Sequence, residues 1–223
     1  MWSIHQTSCY QLLLELPSPE AIRSCHLTHL TTVLLKASRG KYGREKAIQL
    51  RDLATNSIGS SNRSLTFELQ QTIRLIQSVQ SEIDILDKQI KLVVDELNTP
   101  LITIPGIGYT IATIILAEIR DINNFSSPAK LLAFAGMEPS TYQSGKYNAS
   151  KTPMVKRCST YLRWAIIQAA RLVSMRDSTF ATYMAKKRSE GKHFNVAQSH
   201  VSKKLIRVIY SLLKNNTVFV PQM

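Results

Sequence analysis

Residues 64–97 read SLTFELQQTIRLIQSVQSEIDILDKQIKLVVDEL. Leu69, Ile76, Ile83, Ile90 and Leu97 recur every seven residues, Thr72, Val79, Leu86 and Val93 follow the first four by three residues, and Leu65 lies one heptad before Thr72. Spacing of this kind places apolar side chains in one a/d stripe along a helix, with Thr72 as a single polar lapse. No Gly or Pro interrupts the run, and Asn98-Thr99-Pro100 stops it. At 1.5 Å per residue such a helix spans about 50 Å, long for the inside of a small domain. The pattern predicts a coiled-coil arm over residues 64–98 that pairs with another copy through 65–97. The alternative is one long core helix within a bundle.

Upstream, residues 1–62 read as short helices broken by turns. Pro17-Ser18-Pro19-Glu20 predicts a helix start with Ser18 as cap and Pro19 at the first helical position. Ser38 to Gly43 reads as a loop, a second helix covers Glu45 to Ala54, and Asn56 to Ser60 ends it.

Downstream, residues 100–223 form the expected main domain. Ile104-Pro105-Gly106-Ile107-Gly108 precedes an apolar run to about Arg120. It resembles the turn of a helix-hairpin-helix, in which glycines permit a tight bend and the amides opening the second helix face a DNA phosphate. Such a contact reads backbone rather than sequence; the other reading is a packing turn between helices. Phe125-Ser126-Ser127-Pro128 starts another helix that ends at Gly136. Met137 to Ser159 is polar and basic, and long for a structureless loop in a compact domain. A further helix carries Leu162, Ile166, Ala169, Ala170 and Val173 on one face. The last, about 196–214, buries Val201, Leu205, Val208 and Leu212 and sets Lys203, Arg207 and Lys214 on another stripe. The expected fold is mainly α: a long coiled-coil helix followed by a helical domain with a helix-hairpin-helix-like turn.

Charge is segregated along the chain. Residues 1–129 hold 12 Lys and Arg against 12 Asp and Glu, whereas residues 130–223 hold 16 against 3, so the whole surplus of +13 lies in the last 94 residues. Segregation of this kind points to a dedicated face for a polyanion, nucleic acid before an acidic membrane surface; the bland reading is a solvated cationic surface. A membrane-surface role ranks last, because the final helix mixes core spacing with charge and lacks a Trp belt. Cys9, Cys25 and Cys158 are odd in number and widely spaced, which argues against a zinc site or a disulfide framework. The opening Met1-Trp2-Ser3-Ile4-His5-Gln6 has no basic stretch followed by an apolar run, so a cytoplasmic protein without a signal peptide or membrane span is expected.

From Ile104 to Phe219 the sequence resembles the carboxy-terminal domain of the insertion-sequence family 110 (116/902) transposases. The residues that carry the resemblance are Ile104 to Gly108, Leu132-Ala133-Phe134-Ala135-Gly136-Met137-Glu138-Pro139, Ser144-Gly145, Ser150-Lys151, Tyr161-Leu162-Arg163 and Glu190 to Ala197. Leu16 to Ile22 and Lys36 to Gly43 resemble the region that precedes this domain in longer members. The resemblance implies a recombinase of a mobile element that acts on DNA as an oligomer, in several members with a bridging RNA. It also implies a composite protein: an amino-terminal RuvC-like domain with four metal-binding carboxylates, a coiled coil, and a carboxy-terminal domain whose nucleophilic serine corresponds to Ser144.

A serine hydroxyl needs activation, and a phosphorane needs surrounding positive charge. Lys146, Lys151, Lys156, Arg157 and Arg163 lie close to Ser144 in sequence, and Gly145 permits close approach. By its spacing alone Ser144 reads as a turn residue. With Gly106, Gly108, Lys203 and Arg207, these cations make up the expected nucleic-acid contacts. Glu15, Glu20, Glu45 and Asp52 match no metal motif, so a divalent metal such as Mg is expected only in an amino-terminal domain that this chain lacks, and no cofactor in the chain itself. Cys158 stands where members of the family commonly have Gly, which would strain a turn needing positive φ. The chain is thus expected to be an amino-terminally truncated transposase that binds DNA and is not a complete recombinase by itself. The alternative is a non-catalytic nucleic-acid-binding and dimerisation module.

Overall fold

The computed structural model describes residues 5–59, 62–140 and 153–221, together with the backbone of 143–144 and 147–148. Among the described residues the chain is mainly helical, as expected. Two compact units are present, residues 1–85 and 86–223, and the boundary falls within one long helix.

The first unit begins with α1 (Thr7–Glu15), α2 (Pro19–Ser24), α3 (Leu27–Ala37) and α4 (Arg44–Thr55). α2 starts where Ser18 accepts from the Ala21 amide at 3.1 Å and Pro19 supplies the fixed φ of a first helical residue. Leu12, Leu16, Leu30, Val33, Leu34 and Ala47 form its buried cluster. Their burial is what holds helices this short, which would be marginal in water alone. α5 (Arg63–Leu97) follows, and Gln70 near its start donates to the Leu14 carbonyl at 2.8 Å.

α5 forms over the whole heptad run. Among the described residues most of its apolar stripe is exposed, at Ile76, Val79, Ile83, Leu86, Val93 and Leu97, while Leu69 and Ile90 are half-buried. The buried positions of the helix, Ile73 and Val94, lie off that stripe.

The second unit holds α6 (Tyr109–Ile119), α7 (Pro128–Phe134), α8 (Thr160–Arg176), α9 (Ser178–Ser189) and α10 (Phe194–Asn215). α8 is central and packs against α6, α9 and α10. Ala165, Ala169 and Ala170 keep its surface low so that neighbouring helices approach closely, while Leu162, Ile166 and Val173 fill the gaps. Each large side chain buried here stabilises the fold by about 1.5–3 kcal/mol.

Two expectations change on the structure. The segment before the glycine turn is a 3₁₀ turn, Pro100–Thr103, and not a first α-helix of a hairpin. Pro100 has no amide to donate, and Pro105 keeps Ile104 extended, at φ −76° and ψ 120°, so the run is too short to close α-helical bonds. The second change is in the stretch 137–159, which is not structureless. β1 (Gln143–Ser144) and β2 (Tyr147–Asn148) pair antiparallel, Gln143 opposite Asn148 and Ser144 opposite Tyr147.

Candidate nucleic-acid interface

The β1–β2 pair is the outer part of a longer ribbon. Below it Pro139 bridges Met154, Ser140 N donates to Pro153 O at 2.8 Å, Val155 N to Glu138 O at 3.0 Å, and Lys156 N to Gly136 O at 2.9 Å. Ser159 N closes the base on Phe134 O at 3.0 Å. The ribbon therefore rises from the end of α7 and returns to the start of α8, with Ser144 on β1. Lys146 and Lys151 lie outside the described residues, as does the side chain of Ser144.

The base of the ribbon is fixed by Gly136, Arg163 and Ser159. Gly136 has φ +63°, and a Cβ there would collide with the Arg157 carbonyl oxygen and lie 2.7 Å from Arg163 Nη1. Only glycine fits. Arg163 Nη1 donates to Ala135 O at 3.3 Å and more weakly to Arg157 O at 3.5 Å; Nη2 donates to Thr160 Oγ1 at 3.3 Å. These partners are neutral oxygens, so the guanidinium is held in place with its charge undiminished. Lys156 and Arg157 are exposed beside it. Both Lys156 (φ 57°) and Cys158 (φ 62°) are left-handed, so the expected strain at Cys158 is present and its thiol is exposed and free. Ser159 caps α8 by accepting from Leu162 N at 2.9 Å and donates to Glu118 Oε2 at 2.6 Å.

The two glycines of the turn differ. Gly106 has φ +104°, and a Cβ there would sit 2.9 Å from the backbone of Leu172 and Val173 in α8. It is a close-packing position. Gly108 caps α6 without a side-chain bond, and nothing lies within 4 Å of where its Cβ would be. The opening amides of α6 are therefore accessible at Gly108 and not at Gly106. Tyr109, the first residue of α6, donates its hydroxyl to Asp95, which raises its pKa above the ordinary value, and Lys91 stands 5.7 Å over its ring.

Lys203 and Arg207 lie on α10, the first half-buried and the second exposed. The larger cationic cluster near them was not singled out from sequence: Lys186, Lys187 and Arg188 end α9, Lys192 follows, and Lys204 is on α10. Its acidic member is Glu190, which Lys187 reaches at 2.8 Å and Lys192 at 3.3 Å; the Lys187 bond foremost pulls the Glu190 pKa down. Lys204 stands 5.3 Å over Phe180 and 5.1 Å over Tyr183. His200 feels this charge: burial first, then Lys203, Lys187 and Lys192, lower its pKa, with Glu190 opposing. The run Lys186-Lys187-Arg188 was legible as charge; its convergence with α10 was not. Exposed Trp164 on α8 was not singled out from sequence either, and exposed Tyr161 only as part of the Tyr161-Leu162-Arg163 resemblance.

Among the described residues no three His, Cys, Asp or Glu side chains gather as a metal site. No described helix is long and apolar enough to cross a membrane.

Comparison with known proteins gives a consistent result. Residues 98–185 match the family model described as Transposase IS116/IS110/IS902 family. Over 222 residues the chain is 23% identical to a 44.8 kDa protein of insertion element IS116 from Streptomyces clavuligerus, covering 94% of this chain and 53% of that protein. It is 27% identical over 143 residues to the transposase for insertion sequence element IS1328 of Yersinia enterocolitica, covering 62% and 42%. It is 28% identical over 120 residues to the pilin gene-inverting protein of Moraxella bovis, covering 53% and 37%. The chain thus spans about half or less of the length of these relatives. The glycine turn, the ribbon base and α8 all fall within the matched segment, so over residues 98–185 the chain is similar to the Transposase IS116/IS110/IS902 family.

Proposed function

We propose that the chain acts on DNA in transposition or site-specific recombination, with Ser144 as nucleophile. The observation that carries this reading is the connection from α7 to α8, which bears Ser144 on β1 and at whose base Gly136 packs against Arg157 and Arg163, with Lys156 alongside. The names of the relatives, a transposase and a gene-inverting protein, support it. In the reaction Ser144 Oγ attacks a phosphodiester phosphorus and loses its proton. A serine–phosphate ester forms as the strand P–O bond breaks, and the released strand end takes a proton as a hydroxyl. The cations stabilise charge on the phosphorane, where positioning and electrostatics dominate. Lys146 and Lys151 join them, and the α6 amides at Gly108 together with Lys203 and Arg207 hold flanking phosphates. Divalent metal, in this reading, would be held by carboxylates of a RuvC-like domain and would stabilise charge on the reacting phosphate. A cytoplasmic location belongs to the same reading.

The test is a covalent adduct. The chain incubated with element-end DNA and a metal-binding partner domain should form a denaturation-resistant protein–DNA species that Ser144→Ala abolishes; an adduct at normal rate in that variant would sink the serine assignment. Binding itself should be salt-sensitive, with log K falling against log salt at a slope of about −5 for roughly six phosphate contacts. A flat salt response would remove the DNA reading.

A second reading, a non-catalytic nucleic-acid-binding and dimerisation module, is favoured by the exposed stripe of α5. It expects the same salt slope, a second copy bound through residues 65–97, and no adduct. A bridging RNA as further partner would show as RNA competing with DNA at equal salt.

A further inference from the structure

The ribbon base, α8 and α10 line an open cavity of about 290 Å³, in which the expected contacts put a phosphate at Lys156 and Arg163 and assign nothing to the other walls. Met154 and Ile167 give it apolar surface, Lys156 and Arg163 give it positive charge, and Asn195 and Gln198 give it amides. We infer that this cavity holds one unpaired deoxynucleotide of a DNA strand, its phosphate at Lys156 and Arg163 and an amino-bearing base, adenine first, at Asn195 and Gln198. The inference rests on the reading of the chain as a DNA-acting protein and deepens it, naming what the strand leaves in the pocket at the ribbon base.

Three features argue for a nucleotide rather than a bare anion, and a fourth prepares the site for its phosphate. Gln198 is only 9% exposed, and its Nε2 donates to the Ile167 carbonyl at 2.9 Å. A backbone carbonyl can only accept, so the amide cannot turn over, and its Oε1 is fixed as an acceptor for an exocyclic amine. Asn195 stands three residues earlier on the same face of α10, its side chain offering both a donor and an acceptor. Asn and Gln amides pair with the edge of adenine in this way. A phosphate alone would need the cations and would gain nothing from Met154, Ile167 or the amides; a thioether and a branched aliphatic chain suit a base face. Arg163 is already positioned by three neutral oxygens, so it meets a phosphate without reordering.

Size decides between duplex and single nucleotide. The volume lies near the lower end of the ~300–1,000 Å³ of ligand pockets. A base pair does not enter such a space, whereas a nucleotide turned out of its stack does.

The experiment uses the full chain with nitrogen-labelled side-chain amides followed by NMR. Deoxyadenosine monophosphate should shift the Asn195 and Gln198 amides and bind roughly tenfold tighter than deoxyadenosine or inorganic phosphate alone. A short thymidine strand carrying one central deoxyadenosine should produce the same shifts. Asn195→Ala, at an exposed position, should bring the affinity of the mononucleotide down to that of phosphate while duplex binding by anisotropy changes less than about twofold. Unmoved pocket amides, or an Asn195→Ala protein that binds the mononucleotide as before, would overturn the inference. Shifts by the mononucleotide but not by the strand would make the cavity a free-nucleotide site and overturn it equally. Loss of duplex binding in the unsubstituted protein would strike the proposed function instead, since the mononucleotide shifts are read separately.

Discussion

Ser159 Oγ donates to Glu118 Oε2 at 2.6 Å while accepting the Leu162 amide at 2.9 Å. One hydroxyl thereby caps α8 and ties it to α6 across 41 residues of sequence. Ser159→Ala removes both bonds and leaves the start of α8 uncapped. The expected loss is about 1–2 kcal/mol, read as a lower urea midpoint with unchanged slope. Glu118→Gln keeps an acceptor and should cost less than half as much. Equal midpoints for Ser159→Ala and the unsubstituted protein would show the cap to be idle.

The two glycines of the 106–108 turn should separate stability from binding. Gly106→Ala forces a side chain into positive φ against α8 backbone that cannot swing aside, at a cost of about 2–4 kcal/mol in a thermal melt. Gly108→Ala meets open space at φ −91° and should cost no more than about 1 kcal/mol. If the α6 amides hold a phosphate, Gly108→Ala weakens DNA binding at nearly native stability. Unchanged affinity would make the turn a packing device alone.

Cys158→Gly relieves a left-handed φ of 62° at an exposed position. Relief of about 1–2 kcal/mol is partly offset by the greater freedom of glycine in the unfolded chain. A net gain of about 0.5–1 kcal/mol is expected, a rise in Tm of about 1–4 °C. Cys158→Val should go the other way, because a β-branched residue is least suited to this region.

Ile83 is 43% exposed in the middle of the α5 stripe. If that stripe pairs with a second copy, light scattering of the unsubstituted protein gives at least twice the 25.1 kDa chain mass, and Ile83→Lys returns it to one. A single-chain mass in both would leave the stripe without a like partner.

The helices were legible because local signals agree with the tertiary result. Ser18 and Pro19 start α2, and the heptads run unbroken through α5. Leu162, Ile166, Ala169, Ala170 and Val173 bury one face of α8. Capping and periodicity are properties of neighbours in sequence, so one chain suffices to read them. The ribbon was not legible: its pairs join residues 136–140 to 153–156, and no alternation of apolar residues marks such a polar strand. The split between Gly106 and Gly108 was hidden as well, since it depends on Leu172 and Val173, far away in the chain.

By itself the sequence determined a mainly helical chain, a long heptad helix, a cationic second half and a resemblance to a transposase family, because composition, period and motif order need no partner in space. Tertiary structure alone decided what meets at the ribbon base: Gly136 against Arg157 and Arg163, Ser159 on Glu118, and Lys156 and Arg163 sharing a cavity with Gln198. Those groups are brought together by packing of α6, α8 and α10, and distance through space is not written in distance along the chain.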